Sequence, residues 1–71
     1  MQTGVYEHYK GNQYKVIDTA RHSETDELLV LYRPMYGDES LWVRPFGMFF
    51  EKVTVNNRLV PRFKYIGDSN E

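Results

Sequence analysis

The chain has no cysteine and only two histidines. It therefore forms no disulfide, and it falls short of the about four Cys or His ligands that a structural zinc site needs. No apolar run approaches the about 18 residues of a membrane-spanning helix, and the N-terminus lacks the basic stretch and apolar core of a signal peptide. These absences predict a cytoplasmic domain, without a membrane segment, that is stabilised by packing alone.

The chain also has no large excess of positive or of negative charge. Nine Lys and Arg against ten Asp and Glu give a formal charge of -1, which argues against general attraction to nucleic acid or to an anionic membrane. Aromatic side chains, in contrast, make up 15% of the 71 residues. Each ring can bury on the order of 150 to 250 Å². We therefore predict one domain over residues 1–71, ordered over about residues 4–65, with an aromatic core.

Short extended segments between turn residues indicate an all-β fold, because no long window has a sustained helical period. Polar and apolar residues alternate over 13–20, which places Val16 and Asp18 on the same face of a strand. Residues 28–32 are all apolar and are followed by Pro34, which has no N–H to donate to a sheet. The extended segments cover residues 4–9, 13–20, 28–32, 41–44, 53–55 and 59–65.

The remaining segments complete the predicted fold. Residues 46–52 have helix-like spacing and predict one helical turn, the polar run 21–27 predicts a loop, and residues 66–71 predict a frayed tail. Asn56-Asn57-Arg58 predicts a tight hairpin turn, because asparagine accepts a left-handed conformation. We predict a small, partly open SH3-like barrel of about five antiparallel strands with one short helical turn. An oligonucleotide-binding barrel is the alternative, although it usually needs more residues.

Several blocks of residues together resemble one family. They include Gly4 to Gly11, Arg21 to Thr25, Trp42-Val43-Arg44-Pro45 and Val60-Pro61-Arg62-Phe63. From Gly4 to about Phe63, the chain resembles the small bacterial family catalogued as domain of unknown function 1653. The resemblance implies a stand-alone bacterial SH3-like barrel with no assigned biochemical role and no catalytic residues. Two places depart from the family pattern: Asn57 stands where glycine is expected, and residues 32–35 are less regular.

The first candidate for chemistry is the segment Arg21-His22-Ser23-Glu24-Thr25. A histidine can act as a base or ligand near neutral pH, and Ser23 offers a hydroxyl. The competing interpretation is that these side chains hold a tight loop through hydrogen bonds to the backbone. His8, His22 and Glu24 together have the ligand number of a catalytic zinc site, but the usual ligand spacing is absent. We expect no metal, no cofactor and no catalytic residue.

The second candidate is a set of aromatic and arginine side chains. Tyrosine and tryptophan rings stack on bases or hold proline-rich peptides, and a guanidinium binds phosphate or carboxylate through two parallel hydrogen bonds. Pro45 and Pro61 place their neighbouring arginines at strand ends, where loops meet solvent. The competing interpretation assigns many of the rings to the core. The predicted binding residues are Tyr9, Arg21, His22, Tyr36, Trp42, Arg44 and Arg62.

These residues favour a non-catalytic binding module for a small ligand or an extended peptide. Single-stranded nucleic acid is the alternative ligand, with Arg58, Arg62 and Lys64 on its backbone, but the net charge disfavours it. A small enzyme that uses His22 with Glu24 or His8 comes third, because a chain of this size has little room for a pocket of about 300 Å³ or more. The partner and the oligomeric state stay open.

Overall fold

The computed structural model describes residues 1–68. These residues form seven strands and one helical turn. Five strands form an antiparallel sheet in the order β4-β3-β2-β1-β7, and β5 and β6 form a separate two-stranded sheet. An all-β fold with one short helical turn is therefore confirmed, and its two sheets are not a closed barrel. The elements are β1 (Gly4–His8), β2 (Gln13–Arg21), β3 (Leu28–Pro34), β4 (Trp42–Pro45), α1 (Phe46–Phe49), β5 (Lys52–Val55), β6 (Arg58–Pro61) and β7 (Phe63–Gly67).

The segment predicted as one strand over residues 59–65 forms two strands, which is one reason why the strand count exceeds five. Arg62 separates them: its N–H donates to the carbonyl of Glu51 and its own carbonyl accepts from the N–H of Tyr9, both at 3.0 Å. The chain thus passes from the small sheet to the large one at this residue. The last strand also includes Ile66 and Gly67, where the frayed tail was expected to begin. The rest of that tail, residues 69–71, lies outside the described residues.

A bulge at Ile17 changes which side chains of β2 face the core. The pairing with β3 shifts register between Val16 and Asp18, so Ile17 is an extra residue without a partner. Beyond it, Thr19 pairs with the fully buried Val30, and Asp18 is exposed. The predicted alternation is therefore right as far as Val16 and wrong after it, because one inserted residue moves every later side chain to the other face.

The core lies on one face of the five-stranded sheet and is mostly aromatic. Phe49 of α1 stacks on Phe63 of β7 with 4.0 Å between ring centroids and nearly parallel planes. Arg44 of β4 places its guanidinium carbon 5.8 Å from the centroid of the same Phe63 ring. Because β4 and β7 are opposite edges of the sheet, the sheet must curve around Phe63 to allow both contacts. The buried core residues are Tyr6, Val16, Val30, Tyr32, Phe49 and Phe63.

Asn56, Asn57 and Gly4 have positive φ for structural reasons. Asn56 and Asn57 have φ of 51° and 65°, and the flanking Val55 and Arg58 pair directly. This is the geometry of a two-residue type I′ hairpin turn, so the predicted tight turn is confirmed, with Arg58 already in the strand. Gly4 has a φ of 133°, and a Cβ there would lie 2.5 Å from the carbonyl oxygen of Gly67. Only glycine fits where β1 meets β7.

The likeness to an SH3-type barrel and the assignment of residues 1–71 to one domain stay predictions. Within residues 1–68, no helix has the length and apolar character required to cross a membrane.

Candidate functional site

At one end of the curved sheet, side chains from four strands surround the ring of Phe63. This ring is only 4% exposed and forms the floor of the site. The neighbours come from β1, β2, β3 and β4, so residues that are far apart in sequence meet over one ring. They are His8 at 4.9 Å, Tyr14 at 5.5 Å, Tyr32 at 6.0 Å and the guanidinium carbon of Arg44 at 5.8 Å, measured to the Phe63 centroid.

Two more rings extend this arrangement to the solvent. Trp42 and Tyr36 are 54% and 51% exposed, although each contacts a less exposed ring. The hydroxyl of Tyr36 lies 3.1 Å from that of Tyr14, and the ring of Trp42 lies 6.5 Å from that of Tyr32. The indole N–H of Trp42 donates to the hydroxyl of Ser40 at 3.1 Å, which fixes the ring's orientation. We call the rings of Tyr14, Tyr32, Tyr36, Trp42 and Phe63 the aromatic surface.

Positive charges lie beside the aromatic surface and act on His8. Burial lowers the pKa of His8, and the charges of Arg62, Lys10 and Arg44 lower it further. Nδ1 of His8 accepts a hydrogen bond from the backbone N–H of Lys10 at 3.2 Å, so the neutral ring carries its proton on Nε2. Every charge that acts on this pKa is positive. We call Lys10, Arg44, Arg62 and His8 the cation cluster.

The two arginines of the cation cluster differ in their partners. Arg62 forms an ion pair with Glu51, with 2.5 Å between Nη2 and Oε1. Arg44 has no ion pair with any residue in the described part of the chain, and its guanidinium rests on Phe63 instead. In both arginines, Nε is buried and has no acceptor among residues 1–68. Arg44 therefore keeps its charge available for a ligand through its Nη donors, while its Nε is closed to solvent.

A cleft of about 780 Å³ lies between the β1 and β7 strands and the β5–β6 hairpin. Its volume is in the range of small-molecule sites, about 300 to 1,000 Å³. Tyr9 and His8 separate the cleft from the aromatic surface. Its walls are mainly apolar, with charges from Glu7, Arg58 and Lys64, and the other lining residues are Val55, Asn56, Val60, Pro61, Tyr65 and Ile66.

A family model described as "Protein of unknown function (DUF1653)" matches residues 4–65. The chain belongs to the DUF1653 family. It is also similar to a DUF1653 protein of known crystal structure from Bordetella bronchiseptica, with 36% sequence identity and a TM-score of 0.88 over 96% of this chain and 90% of that chain. None of the curated proteins matches it. The resemblance drawn from the sequence is confirmed, and the family description assigns no activity.

The structure brings part of the predicted binding set of this DUF1653 domain together. Tyr36 and Trp42 belong to the aromatic surface, and Arg44 and Arg62 belong to the cation cluster beside it. Tyr9 packs against His8, with 4.5 Å between centroids and 31° between the ring planes, and its ring lines the cleft. These residues come from strand ends and turns that the curvature of the sheet brings together.

Arg21 and His22 lie elsewhere in the DUF1653 domain, at the end of β2 and at the start of the β2–β3 loop. Arg21 donates to the carbonyl of Asp26 at 3.0 Å, and Nδ1 of His22 accepts from the backbone N–H of Glu24 at 3.1 Å. The seven residues of β3 separate this loop from Tyr36, a length of about 20 Å at roughly 3.3 Å per residue. His8 and His22 therefore do not meet. Within residues 1–68, no group of three or more His, Asp or Glu is placed to hold a metal ion.

Sequence reasoning left His8 out of the binding set, and it counted the ring of Tyr14 among the candidates without keeping it in the final set, although both form walls of the site. One signal was present: Tyr6 and His8 are two residues apart in a strand, so they share a face. The same holds for Tyr14 and Val16. No pattern in the sequence indicated that Phe63 packs against this face of β1. Phe63 reaches the face because β7, the last strand, pairs with β1.

The tyrosine pair at the rim gives a first prediction. Burial, followed by the hydrogen bond to Tyr36, raises the pKa of Tyr14 to about 12 from 10.0. Tyr36→Phe removes the hydrogen-bond partner, so we expect the pKa of Tyr14 to fall while burial keeps it above 10.0. Tyrosinate absorbance during an alkaline titration measures this shift.

The same groups affect stability at high pH. Because the folded state favours neutral Tyr14, the unfolded chain ionises first, and the free energy of unfolding falls from about pH 10 towards pH 12. Tyr36→Phe should make this loss smaller and end it at a lower pH, while its onset near pH 10 stays the same because the unfolded chain sets it. Tyr9→Phe, which changes an exposed ring, is the control and should leave the pKa of Tyr14 unchanged. An unchanged titration in Tyr36→Phe would contradict the assignment.

Proposed function

We propose that this DUF1653 domain is a non-catalytic binding module that takes an extended peptide at the aromatic surface and along the free edge of β4. One observation carries the proposal. β4 is an edge strand of the five-stranded sheet, and the consecutive apolar residues Leu41, Trp42 and Val43 are 54%, 54% and 53% exposed. A contiguous patch of exposed apolar side chains marks an interaction site more often than scattered exposed apolar residues do.

An edge strand favours an extended peptide over a compact small ligand. Alternate residues of β4 direct their N–H and C=O groups away from β3, and an added strand pairs with such groups. Side chains of that peptide would alternate in direction, so those on the core-facing side would meet Trp42 and the rings beside it. Many proteins protect such edges with charged side chains or cover them. The apolar edge of β4 fits a strand that a partner covers.

The rings are held in place before a ligand arrives. Ser40 orients Trp42, and the hydroxyl pair links Tyr36 to Tyr14. Rings that are already ordered lose less conformational entropy on binding. The proposal also includes a cytoplasmic location, which rests on the composition of the chain alone. Arg21 and His22 are not part of the proposed surface.

Single-stranded nucleic acid is the second candidate, favoured by the half-exposed ring of Trp42 near the free charge of Arg44. Such a ligand stacks its bases on rings and pairs its phosphates with cations. Asp38 and Glu39, just before β4, would repel a phosphate backbone that follows this edge. The peptide is therefore the better fit.

A peptide-display screen followed by fluorescence titration tests the function. Trp42 is the only tryptophan of the chain, so peptides without tryptophan that bind the aromatic surface should change the intrinsic emission of the domain. Oligo-dT at low and high salt tests the second candidate, since phosphate contacts weaken with added salt. Selected peptides that bind without changing the emission of Trp42 would place binding elsewhere and overturn the proposal.

A further inference from the structure

We infer that the peptide presents a carboxylate, which the cation cluster binds next to the aromatic surface. This inference rests on the proposed function and names the chemical group that the site recognises. It assigns Arg44 as the main anion ligand, with Lys10, Arg62 and the Nε2–H of His8 beside it.

Positive charge exceeds negative charge in the cation cluster. Lys10, Arg44 and Arg62 are cations near neutral pH, whereas one carboxylate, that of Glu51, pairs with Arg62. His8 is packed between these charges: Tyr9 packs against it, and Tyr14 and Phe63 contact its ring. Cations held together over buried rings repel one another more than cations in water do. A bound anion relieves that repulsion.

Arg44 has the geometry of an anion ligand. Its guanidinium carbon lies 5.8 Å from the centroid of the buried Phe63 ring, which limits the positions that the side chain can take. Its planar fork offers two parallel N–H donors, the arrangement that binds a carboxylate best. Its Nε is buried without an acceptor within the described residues 1–68, so an anion from solvent would meet the two Nη groups at the end of the fork.

The charges around Trp42 distinguish a single carboxylate from a chain of phosphates. Asp38 lies at one end of this region, because its carboxylate accepts from the hydroxyl of Ser40, which in turn accepts from Trp42. Arg44 lies at the other end, two residues beyond Trp42 or about 7 Å along the strand. The site is therefore negative on one side of the ring and positive on the other. A peptide with one carboxylate at the Arg44 end fits this pattern.

Matched peptides without tryptophan test the inference. N-acetyl-Phe-Ala-Phe supplies a C-terminal carboxylate, N-acetyl-Phe-Glu-Phe-amide supplies a side-chain carboxylate, and N-acetyl-Phe-Ala-Phe-amide is the neutral control. NMR titration that follows the indole N–H of Trp42 and the ring of His8 gives each Kd. We expect a carboxylate peptide to bind about tenfold more tightly than the neutral one. The stronger of the two carboxylate peptides identifies the source of the anion.

Arg44→Gln should bring the carboxylate peptides to the affinity of the neutral peptide. Arg58→Gln, which removes an exposed arginine of the hairpin, is the matched control and should keep the difference. A bound carboxylate should also raise the pKa of His8 towards its ordinary value near 6.5, which a merely structural Arg44 would not explain. The NMR spectrum of each variant reports whether it is folded.

Two results would overturn the inference. Equal affinity of the carboxylate and neutral peptides would show that the site does not recognise an anion, and it would leave the proposed function intact. Tighter binding of oligo-dT than of every peptide, with Arg44 required, would assign the cation cluster to phosphate instead. The proposed function itself is decided separately, by the peptide screen and the emission of Trp42.

Discussion

Phe49→Ala is expected to lower the free energy of unfolding by about 4 kcal/mol, as large buried rings do when they are truncated. Phe49 is fully buried and stacks on Phe63, with further ring contacts to Tyr6, Tyr32 and Phe50. Domains of this size have a total stability of roughly 4 to 10 kcal/mol. The variant should therefore be partly or largely unfolded at room temperature. Urea denaturation followed by circular dichroism measures the change.

Met48→Ala provides the control for this prediction. Met48 is next to Phe49 in the same helical turn but is 48% exposed, so its truncation should cost less than about 1 kcal/mol. The comparison separates the loss of a packed ring from any effect on the helix itself. Similar midpoints for the two variants would show that Phe49 is not central to the core.

Trp42→Ala should weaken binding of a selected peptide about 30-fold while the domain stays folded. Tryptophan side chains at the centre of an interface often contribute about 2 kcal/mol or more, and 2 kcal/mol corresponds to this ratio of Kd values. Because half of the ring is already exposed in the free domain, its loss removes little packing. Isothermal titration calorimetry gives the Kd, since the variant has no tryptophan to fluoresce.

Two further variants define what Trp42 contributes. Trp42→Phe keeps one aromatic ring but loses the second ring of the indole and the N–H that binds Ser40, so we expect a loss of less than about fivefold. Leu59→Ala truncates the most exposed of the large apolar side chains, at 69%, in the hairpin sheet, and should leave Kd unchanged. Equal losses in Trp42→Ala and Leu59→Ala would argue against a specific site on β4.

The local elements of the fold could be predicted because local chemistry determines them. Asn56 and Asn57 accept positive φ, Pro34 and Pro45 end strands, and the spacing of Phe46 and Phe49 indicates a helical turn. The bulge at Ile17 could not be predicted, because an extra residue in a strand has no signal of its own in a polar and apolar alternation. The split at Arg62 depends on its contacts with other strands, which are absent from the local sequence.

The candidate site was predictable in its residue types and only partly in its members. Rings and arginines at strand ends indicated a surface, and Trp42 and Arg44 lie two residues apart on β4. His8 was considered only as a metal ligand with His22 and Glu24 or as a partner of His22 in an enzyme, because sequence alone does not show that the first and last strands pair. The curvature that brings Arg44 to Phe63 across the sheet is a property of all five strands together.

The ring of Phe63 packs in the core and also forms the floor of the candidate site. Its stacking partner Phe49 stabilises the domain, and its neighbours His8 and Arg44 are the residues that we propose to meet a ligand. A change of this ring should therefore alter both the proposed recognition and the stability of the fold. We expect that redesign towards a new ligand is best made at the outer positions Tyr36 and Trp42.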